Sequence, residues 1–550
     1  MSDNLSELLG RKGIDDNFFD RLGKLSDPSG SPSPDDMEKL AEEFLIGKAN
    51  AFGTASFYDF LKPENKGKKV YVCNGTACVC AGTQKKVTDS LGDYFDAEDI
   101  GHMTCLGRCH ENSAFHFQGK NYSGKAVEYL GELIKHDSDL NIDKYTVKAS
   151  GKAILTKDFS SVSKHYEPFL EALKKDSLKV LEEIKISNLR GRGGAGFPMG
   201  MKLEFCRKEE NKNKFIICNA DEGDPGAYSD RYLLEKQPHA VLFGMLIAGY
   251  VTHASHGILY IRAEYPEAAR IVQKAIDVLR LEGLLGENIA GSNFNFDLKI
   301  IQAQGSYICG EETALINSIE GQRPEVRVRP PYPAQKGLFN KPTVVNNVET
   351  LAALHFIVSN GGESWKKIGT ERSSGTKLIC LDSFFKNPGL YEVEMGTSLM
   401  KVVNELGGGF KTEVKAIQIG GPLGGLVPIE KIKDLTVDFE SFSKEGFLLG
   451  HGSFVCIPHD FPMIKFIEHL FDFASYESCG KCFPCRLGTK RGQELSEKAM
   501  TSDYKIDMQL FNDLLSTLEK GSLCAHGGGI PLPIRNALHY FNDELKPYFN

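Results

Sequence analysis

Apolar positions along this chain repeat with two periods, and the changes of period divide it into five regions. In residues 6–25 and 35–48 apolar side chains recur at helical spacing, which predicts helices within a helical segment over residues 1–65. Between them DPSGSPSPDD reads as a loop ending in helix-start residues. Near Lys69 the pattern shortens. KKVYVCNG predicts a strand entering a loop, residues 85–91 a helix, and CLGRC a second loop. This small α/β unit ends near Leu140 and is assigned residues 66–145. Residues 150–365 alternate: KNKFIICNA, HGILYIRAE and LKIIQAQGSYIC predict strands, while residues 268–280 and 312–319 predict helices. Such alternation implies a parallel or mixed sheet covered by helices. Four short strands then follow in TKLICLDS, GLYEVEMG, KAIQIGG and GSFVCIP, with a helix at 398–406, giving a β-rich module over residues 366–457. Residues 458–550 return to a helical pattern with cysteines in the loops.

Composition narrows the classes. A chain of 550 residues has room for about four domains. Its 65 basic against 73 acidic residues leave a charge of −8, which argues against nucleic acid as a partner. The longest apolar run, residues 240–251, is too short to span a bilayer. The start, MSDNLSELLG, lacks the basic and apolar regions of a secretory signal, so a cytoplasmic location is expected. In a reducing compartment the 14 cysteines read as metal ligands or catalytic groups rather than disulfides.

Their spacing is specific. Cys73 and Cys78 are separated by four residues, Cys105 and Cys109 by three. Two close pairs on two loops suit a binuclear iron–sulfur centre, because iron is matched by soft anionic sulfur. A zinc staple is the alternative, although structural zinc more often uses pairs two residues apart. Cys80 reads as a thiol outside the set. Near the C-terminus Cys479, Cys482 and Cys485 follow C-x2-C-x2-C, and Cys524 lies further on in GSLCAHGGG. Three close cysteines with a remote fourth are a [4Fe–4S] pattern; tetrahedral zinc is again the alternative.

Between the cysteine sets lie loops suited to a nucleotide. Gly191, Arg192, Gly193, Gly194, Ala195, Gly196 and Phe197 open GRGGAGFPMG, which contains G-x-G-x-x-G. A helical rather than strand pattern precedes it, so the standard dinucleotide fingerprint fails on context. An anion cradle of backbone N–H groups remains, with Arg192 and Lys202 adding positive charge. After the strand KNKFIIC, NADEGDPGAYSDR brings Asn219, Asp221, Glu222 and Asp224 to a strand end, where acids suit ribose or ribityl hydroxyls. Gly310, Glu311 and Glu312 stand at a strand-to-helix junction, where helix capping explains the acids equally well. Asn346 and Asn347 add amides able to bond a flavin or phosphate.

These segments carry a family resemblance. AFGTASFYDFL, VYVCNGTACVCAG and CLGRCHENSA resemble the thioredoxin-like [2Fe–2S] subunit of respiratory complex I and its soluble relatives. From about Lys152 to the C-terminus the chain is similar to the NADH- and FMN-binding flavoprotein subunit of complex I and of soluble diaphorases in hydrogenases and formate dehydrogenases. The resemblance implies an α/β multidomain fold: a thioredoxin-like domain, a Rossmann-like α/β flavin domain, a β-grasp module and a C-terminal helical bundle. It implies Cys73, Cys78, Cys105 and Cys109 as [2Fe–2S] ligands, and Cys479, Cys482, Cys485 and Cys524 as [4Fe–4S] ligands. Residues 191–200 would line the phosphates, and Phe197 and Phe205 would flank the nicotinamide nucleotide. Lys202, Asn219, Asp221, Asn346 and Asn347 would hold FMN, while Tyr307, Gly310, Glu311 and Glu312 would close the pocket. Glu312 would favour NAD over NADP, since a 2′-phosphate would meet a carboxylate. Asp224, the one side chain beside the flavin with a candidate catalytic role, stands where complex I members carry glutamate.

The implied function is a two-to-one electron converter: hydride exchanged between NAD(H) and FMN, single electrons exchanged with the clusters. The chain carries no sequence pattern for activating hydrogen, formate or quinone. It is therefore expected to work as one subunit beside other iron–sulfur and catalytic subunits, with ferredoxin a further candidate partner. A complex I-type subunit feeding a quinone is the alternative enzyme. A zinc-stapled scaffold without catalysis is the alternative class.

Overall fold

The computed structural model describes residues 3–26, 31–136 and 143–550. The start of the DPSGSPSPDD loop and the expected end of the small α/β unit near Leu140 lie outside the described residues. The small α/β unit is a four-stranded sheet of Val70–Cys73 (β1), Ile100–Met103 (β2), Phe115–Phe117 (β3) and Lys120–Tyr122 (β4), in the order β2-β1-β3-β4. β1 runs parallel to β2 and antiparallel to β3, as a thioredoxin-like domain requires.

Thr146–Ser150 (β5) leaves this unit and pairs with a strand far along the chain. The next sheet is Phe215–Ala220 (β6), His256–Ile261 (β7), Asp297–Gln302 (β8) and Thr343–Asn347 (β9), ordered β8-β7-β6-β9 and parallel throughout. β6, β7 and β9 bury both faces, as strands of parallel sheets do. On one face Ile216, Cys218, Leu259, Ile261 and Val344 pack on the apolar helix Pro238–Thr252. That helix is the run expected to be too short for a membrane. Ile217, Ile258, Tyr260, Ile301 and Val345 point to the other face, which is covered by Phe18, Phe19, Leu22, Leu40 and Phe44 of the N-terminal segment. The N-terminal helices are thus a layer of this parallel-sheet domain's core.

That segment differs from its periodicity. Residues 6–25 split into Asp3–Leu9, a 3-10 turn at Gly10–Lys12 and Phe18–Ser26. Leu9, Ile14 and Phe18 keep helical spacing across the break because both pieces face one core. The helix expected over 35–48 ends at Glu43, and a new one begins at Lys48. LKIIQAQGSYIC likewise stays extended only to Gln302 and then turns as 3-10 at Tyr307–Gly310.

The third sheet contains Thr376–Leu381 (β10), Gly389–Glu394 (β11), Val414–Ile419 (β12), Gly425–Pro428 (β13) and Ser453–Pro458 (β14), ordered β13-β12-β14-β10-β11-β5. Its edge is β5, parallel to β11. The chain ends in four longer helices, Met463–Tyr476, Phe483–Thr501, Met508–Gly521 and Pro531–Tyr540, around one apolar core. Among the described residues no helix is long and apolar enough to cross a membrane.

Candidate functional site

The carboxyl ends of parallel strands form a crevice, the usual ligand position in such sheets. β6 and β9 are neighbours with Cys218 opposite Asn346 and Asn219 opposite Asn347. Asn219, Asp221, Asn346 and Asn347, distant in sequence, therefore meet at one edge. Asn219 donates to the Gly310 carbonyl at 2.8 Å, and its own side-chain oxygen accepts from Asp221 N at 3.2 Å. Asp221 Oδ2 and Asn346 Nδ2 are buried without a protein partner. Burial pushes the Asp221 carboxyl well up. An acceptor and a donor left open in one crevice fit a ligand that offers both, as FMN does.

The glycine loop lies over this edge. A bridge between Arg190 and Pro198 and the bond from Gly191 N to Phe197 O at 2.9 Å close it. The N–H groups of residues 193–196 carry no such backbone bond among the described residues. Gly194 and Gly196 have φ of 121° and 61°, a backbone that side chains oppose. The loop has the open N–H groups that the expected cradle needs, but one residue departs from the expectation. Arg192 adds no charge to it: its buried guanidinium donates to the carbonyls of Ser374 at 2.5 Å and Thr376 at 3.1 Å, and its N–H donates to Thr350 Oγ1. Lys202 does reach the crevice, with Nζ 3.0 Å from Val345 O and 3.3 Å from Glu312 Oε2. Phe197 and Phe205 stand open, each 44% exposed.

The acids divide. Asp224 accepts from the Tyr307 hydroxyl at 2.7 Å. Burial raises its carboxyl, against the pull of His451 and that hydrogen bond. Glu222, expected to meet a ligand, instead turns inward. It accepts the N–H groups of Asp230 at 2.9 Å and Arg231 at 3.1 Å, capping the helix Ser229–Lys236, and the Tyr265 hydroxyl at 3.1 Å. Its neighbour in sequence faces the other way, so one helix cap removes it from the ligand set. Glu311 caps Glu312–Ile319 through Thr313 N and Ala314 N, both at 2.9 Å. Glu312 remains half-open between Lys202 and Arg329.

The two cysteine sets flank the crevice. Cys73, Cys78, Cys105 and Cys109 are buried free thiols, with Cys105 and Cys109 Sγ 3.6 Å apart. A Cys78 hydrogen bond and, against the cost of burial, the N–H groups of Gly75, Leu106 and Cys105 hold the Cys73 thiol down to about 7. Two close pairs of soft donors with backbone N–H support fit a [2Fe–2S] centre. Gly226 of the acid loop sends its N–H to Cys109 Sγ at 3.2 Å. Gly107 has φ of 66°, and a Cβ there would meet the Tyr265 hydroxyl at 2.6 Å. The cluster loop therefore rests directly on the flavin domain. On the other side Cys479 packs with Ile308 and Ala314, next to Tyr307 and the capped helix. Cys482 and Cys524 are N-caps of Phe483–Thr501 and Ala525–Gly529. Cys80 stays outside the set in the C-terminal core, as expected.

Sequence reasoning missed several polar partners. Arg262 clamps the Glu222 carbonyl and, at 3.2 Å, the carbonyl of Thr104 beside Cys105. Glu477 accepts from Tyr307 N at 2.8 Å. His451 reaches Asp230 across 221 positions of chain. An isolated histidine between glycines offers no local signal for such a contact.

Three family models match. The Nuo51 FMN-binding domain covers residues 184–355, the NADH-ubiquinone oxidoreductase-F iron-sulfur binding region 465–548, and the thioredoxin-like [2Fe-2S] ferredoxin 16–136. The NADP-reducing hydrogenase subunit HndC of Solidesulfovibrio fructosivorans is 42% identical over 386 residues, 70% of this chain and 78% of that protein. An NADH-quinone oxidoreductase subunit of Escherichia coli is 39% identical over 373 residues, 67% of this chain and 84% of that protein. The NAD-reducing hydrogenase HoxS subunit alpha of Cupriavidus necator is 33% identical over 527 residues, 89% of this chain and 84% of that protein. A chain in the crystal structure of an NAD+-reducing [NiFe]-hydrogenase in the H2-reduced state superposes with a TM-score of 0.85 at 28% identity, covering 96% of this chain and 92% of that one.

Proposed function

The chain belongs to the family of NADH-binding flavin and iron–sulfur subunits of NADH-quinone oxidoreductases and NAD(P)-reducing hydrogenases, and from that premise we infer how its residues divide the work. It is a diaphorase-type oxidoreductase subunit that exchanges hydride between NAD(H) and FMN, and single electrons with a [4Fe–4S] and a [2Fe–2S] cluster. FMN held by these residues would supply two-electron exchange with the nicotinamide and one-electron exchange with the clusters.

In our reading the N–H groups of residues 193–196 bind phosphate. Asn219, Asp221, Asn346, Asn347 and Lys202 orient the flavin, and Phe197 and Phe205 flank the nicotinamide nucleotide. Tyr307 fixes its hydroxyl proton toward Asp224 Oδ1, which holds both side chains in place at that edge of the crevice. Cys73, Cys78, Cys105 and Cys109 hold the [2Fe–2S] cluster; Cys479, Cys482, Cys485 and Cys524 hold the [4Fe–4S] cluster. One observation carries this reading. The crevice with its open Asp221 and Asn346 atoms lies between the cysteine sets, touching one through Gly226 and the other beside Tyr307.

The chain works in our reading with partner subunits in the cytoplasm. A hydrogenase-type assembly is favoured because the likeness to the HoxS protein spans 89% of the chain, the N-terminal domain included, against 67% for the E. coli protein. Ferredoxin is a further candidate acceptor.

The test is an anaerobic visible spectrum of the FMN-supplemented chain before and after NADH. Flavin and iron–sulfur bands that bleach support the assignment. Bands that persist with NADH would overturn the nicotinamide roles of Phe197, Phe205 and Glu312. A colourless protein after cluster reconstitution would overturn the cysteine assignments.

A further inference from the structure

Glu222, Asp230 and His451 form a buried cluster whose ligand-type atoms lie within 4.8 Å of one another. His451 Nε2 stands 3.3 Å from Asp230 Oδ2 and 3.7 Å from Glu222 Oε1. The acids belong to the flavin domain. The histidine comes from the β-rich module, just before β14. A metal ion is a poor occupant, because three of the four carboxylate oxygens are already spent and only Asp230 Oδ1 is left without a protein partner. Glu222 accepts two helix N–H groups and the Tyr265 hydroxyl, and Asp230 Oδ2 accepts Asn347 Nδ2 at 2.7 Å.

A proton suits the place better. The nearby Lys377 is taken by Glu349 in a fully buried ion pair, so His451 is the cation in direct reach of Asp230, with Arg231 acting on Glu222 as well. Burial works against a charged imidazole, yet Asp230 and Glu222 outweigh it and hold His451 up to about 9. The imidazolium thus donates Nε2–H to Asp230, while its Nδ1 stays buried without a protein partner.

The chain of contacts continues to the flavin crevice. Asp230 Oδ2 is shared by His451 and Asn347. Asn347 in turn caps Val348–Ala352 through Thr350 N. It also supports the glycine loop, since a Cβ on Gly193 would lie 3.0 Å from Asn347 Cβ. Gly450, the residue before His451, comes against the same loop at Gly194. We propose that His451 is a positioning residue for the flavin site, acting through Asp230 on Asn347 and the glycine loop. It makes a histidine of the β-rich module part of the flavin-binding machinery. The proposal rests on the reading of Asn347 as a flavin residue, and the experiment separates the two.

The full chain is stripped of FMN and titrated with FMN by fluorescence quenching. The variants are His451→Ala, His451→Gln, Asn347→Ala and the double variant His451→Ala/Asn347→Ala. Loss of a charged hydrogen bond predicts about tenfold weaker FMN binding for His451→Ala and about threefold for His451→Gln, which keeps a donor without the charge. In the Asn347→Ala background, removing His451 should change affinity by less than about twofold, because the route to the flavin is already cut. A purely structural role would instead multiply the two losses, and that result overturns the proposal. So does FMN binding within about twofold of the parent in the histidine variants. If His451→Ala does not fold, His451→Gln alone and combined with Asn347→Ala carries the same comparison. If Asn347→Ala itself leaves FMN binding unchanged, the flavin role of Asn347 fails, and this proposal fails with it.

Discussion

Glu312 shows how little of a binding role is visible in one residue type. In the sequence it is an acid at a helix start, where capping is an equal explanation, and in the fold its neighbour Glu311 takes the cap. That leaves Glu312 free to face Lys202 at 3.3 Å and Arg329 at 3.0 Å on the open side. A 2′-phosphate brought there meets a carboxylate. Glu312→Gln should therefore raise the ratio of kcat/KM for NADPH over NADH by about tenfold, measured by steady-state reduction of an artificial acceptor. An unchanged ratio would remove Glu312 from nucleotide selection. His451 gives a pH signature. Its folded value of about 9 lies above the ordinary 6.5, so its stabilising contribution is full below that ordinary value and is lost as pH rises toward 9. The groups facing it are Asp230, Glu222, Asp224 and Lys377. The thermal midpoint of the parent should fall more between pH 7 and 9 than that of His451→Gln, as differential scanning fluorimetry would reveal.

At the scale of elements, periodicity located two helices well, one buried on all sides and one on a single face. The helix expected over 312–319 is Glu312–Ile319, and that over 268–280 lies within Pro266–Leu281. It misjudged residues 6–25, because two short helices facing one core imitate a longer one. The signal for the break was present: Asn17 Oδ1 accepts Asp20 N at 3.1 Å, a cap opening the second helix. These N-terminal helices do more than precede the small domain. Phe19 is fully buried against the flavin sheet and lies 4.9 Å from Tyr58, ring to ring. Phe19→Ala should cost about 3–5 kcal/mol in chemical denaturation, with the loss reported by flavin fluorescence as well as by far-UV signal. A loss confined to the far-UV signal would mean that the segment folds apart from the flavin domain.

For the whole molecule, the crevice stands between two separate thiolate sets, so the sets are separable by substitution. Cys482→Ser should abolish the [4Fe–4S] electron paramagnetic resonance signal of the NADH-reduced protein and leave the [2Fe–2S] signal. Cys105→Ser should do the reverse. In both variants the flavin bands should still bleach with NADH, since no cysteine lies in the hydride step. Simultaneous loss of both signals from either variant would show that the eight cysteines do not form two independent sets. The docking of the small domain, through Gly107 on Tyr265 and Arg262 on Thr104, keeps the two sets in one body.

What the sequence determined was local. Cysteine spacing, the glycine loop and the strand-to-acid junctions each name a chemistry, because ligands on one loop must lie a few residues apart. Single elements with their own hydrophobic pattern were legible for the same reason: each pattern reflects the face that its own element buries. Tertiary structure decided what depends on meeting. Arg192 and Glu222 carry the right charge in the right loops, yet one is spent on carbonyls and the other on a helix cap. β5 and the N-terminal helices join sheets whose strands come much later, completing faces that no local pattern announces. His451 acquires its charge only from two carboxylates more than two hundred positions away. A residue type fixes what a side chain can do, while burial and partners select which of those things it does.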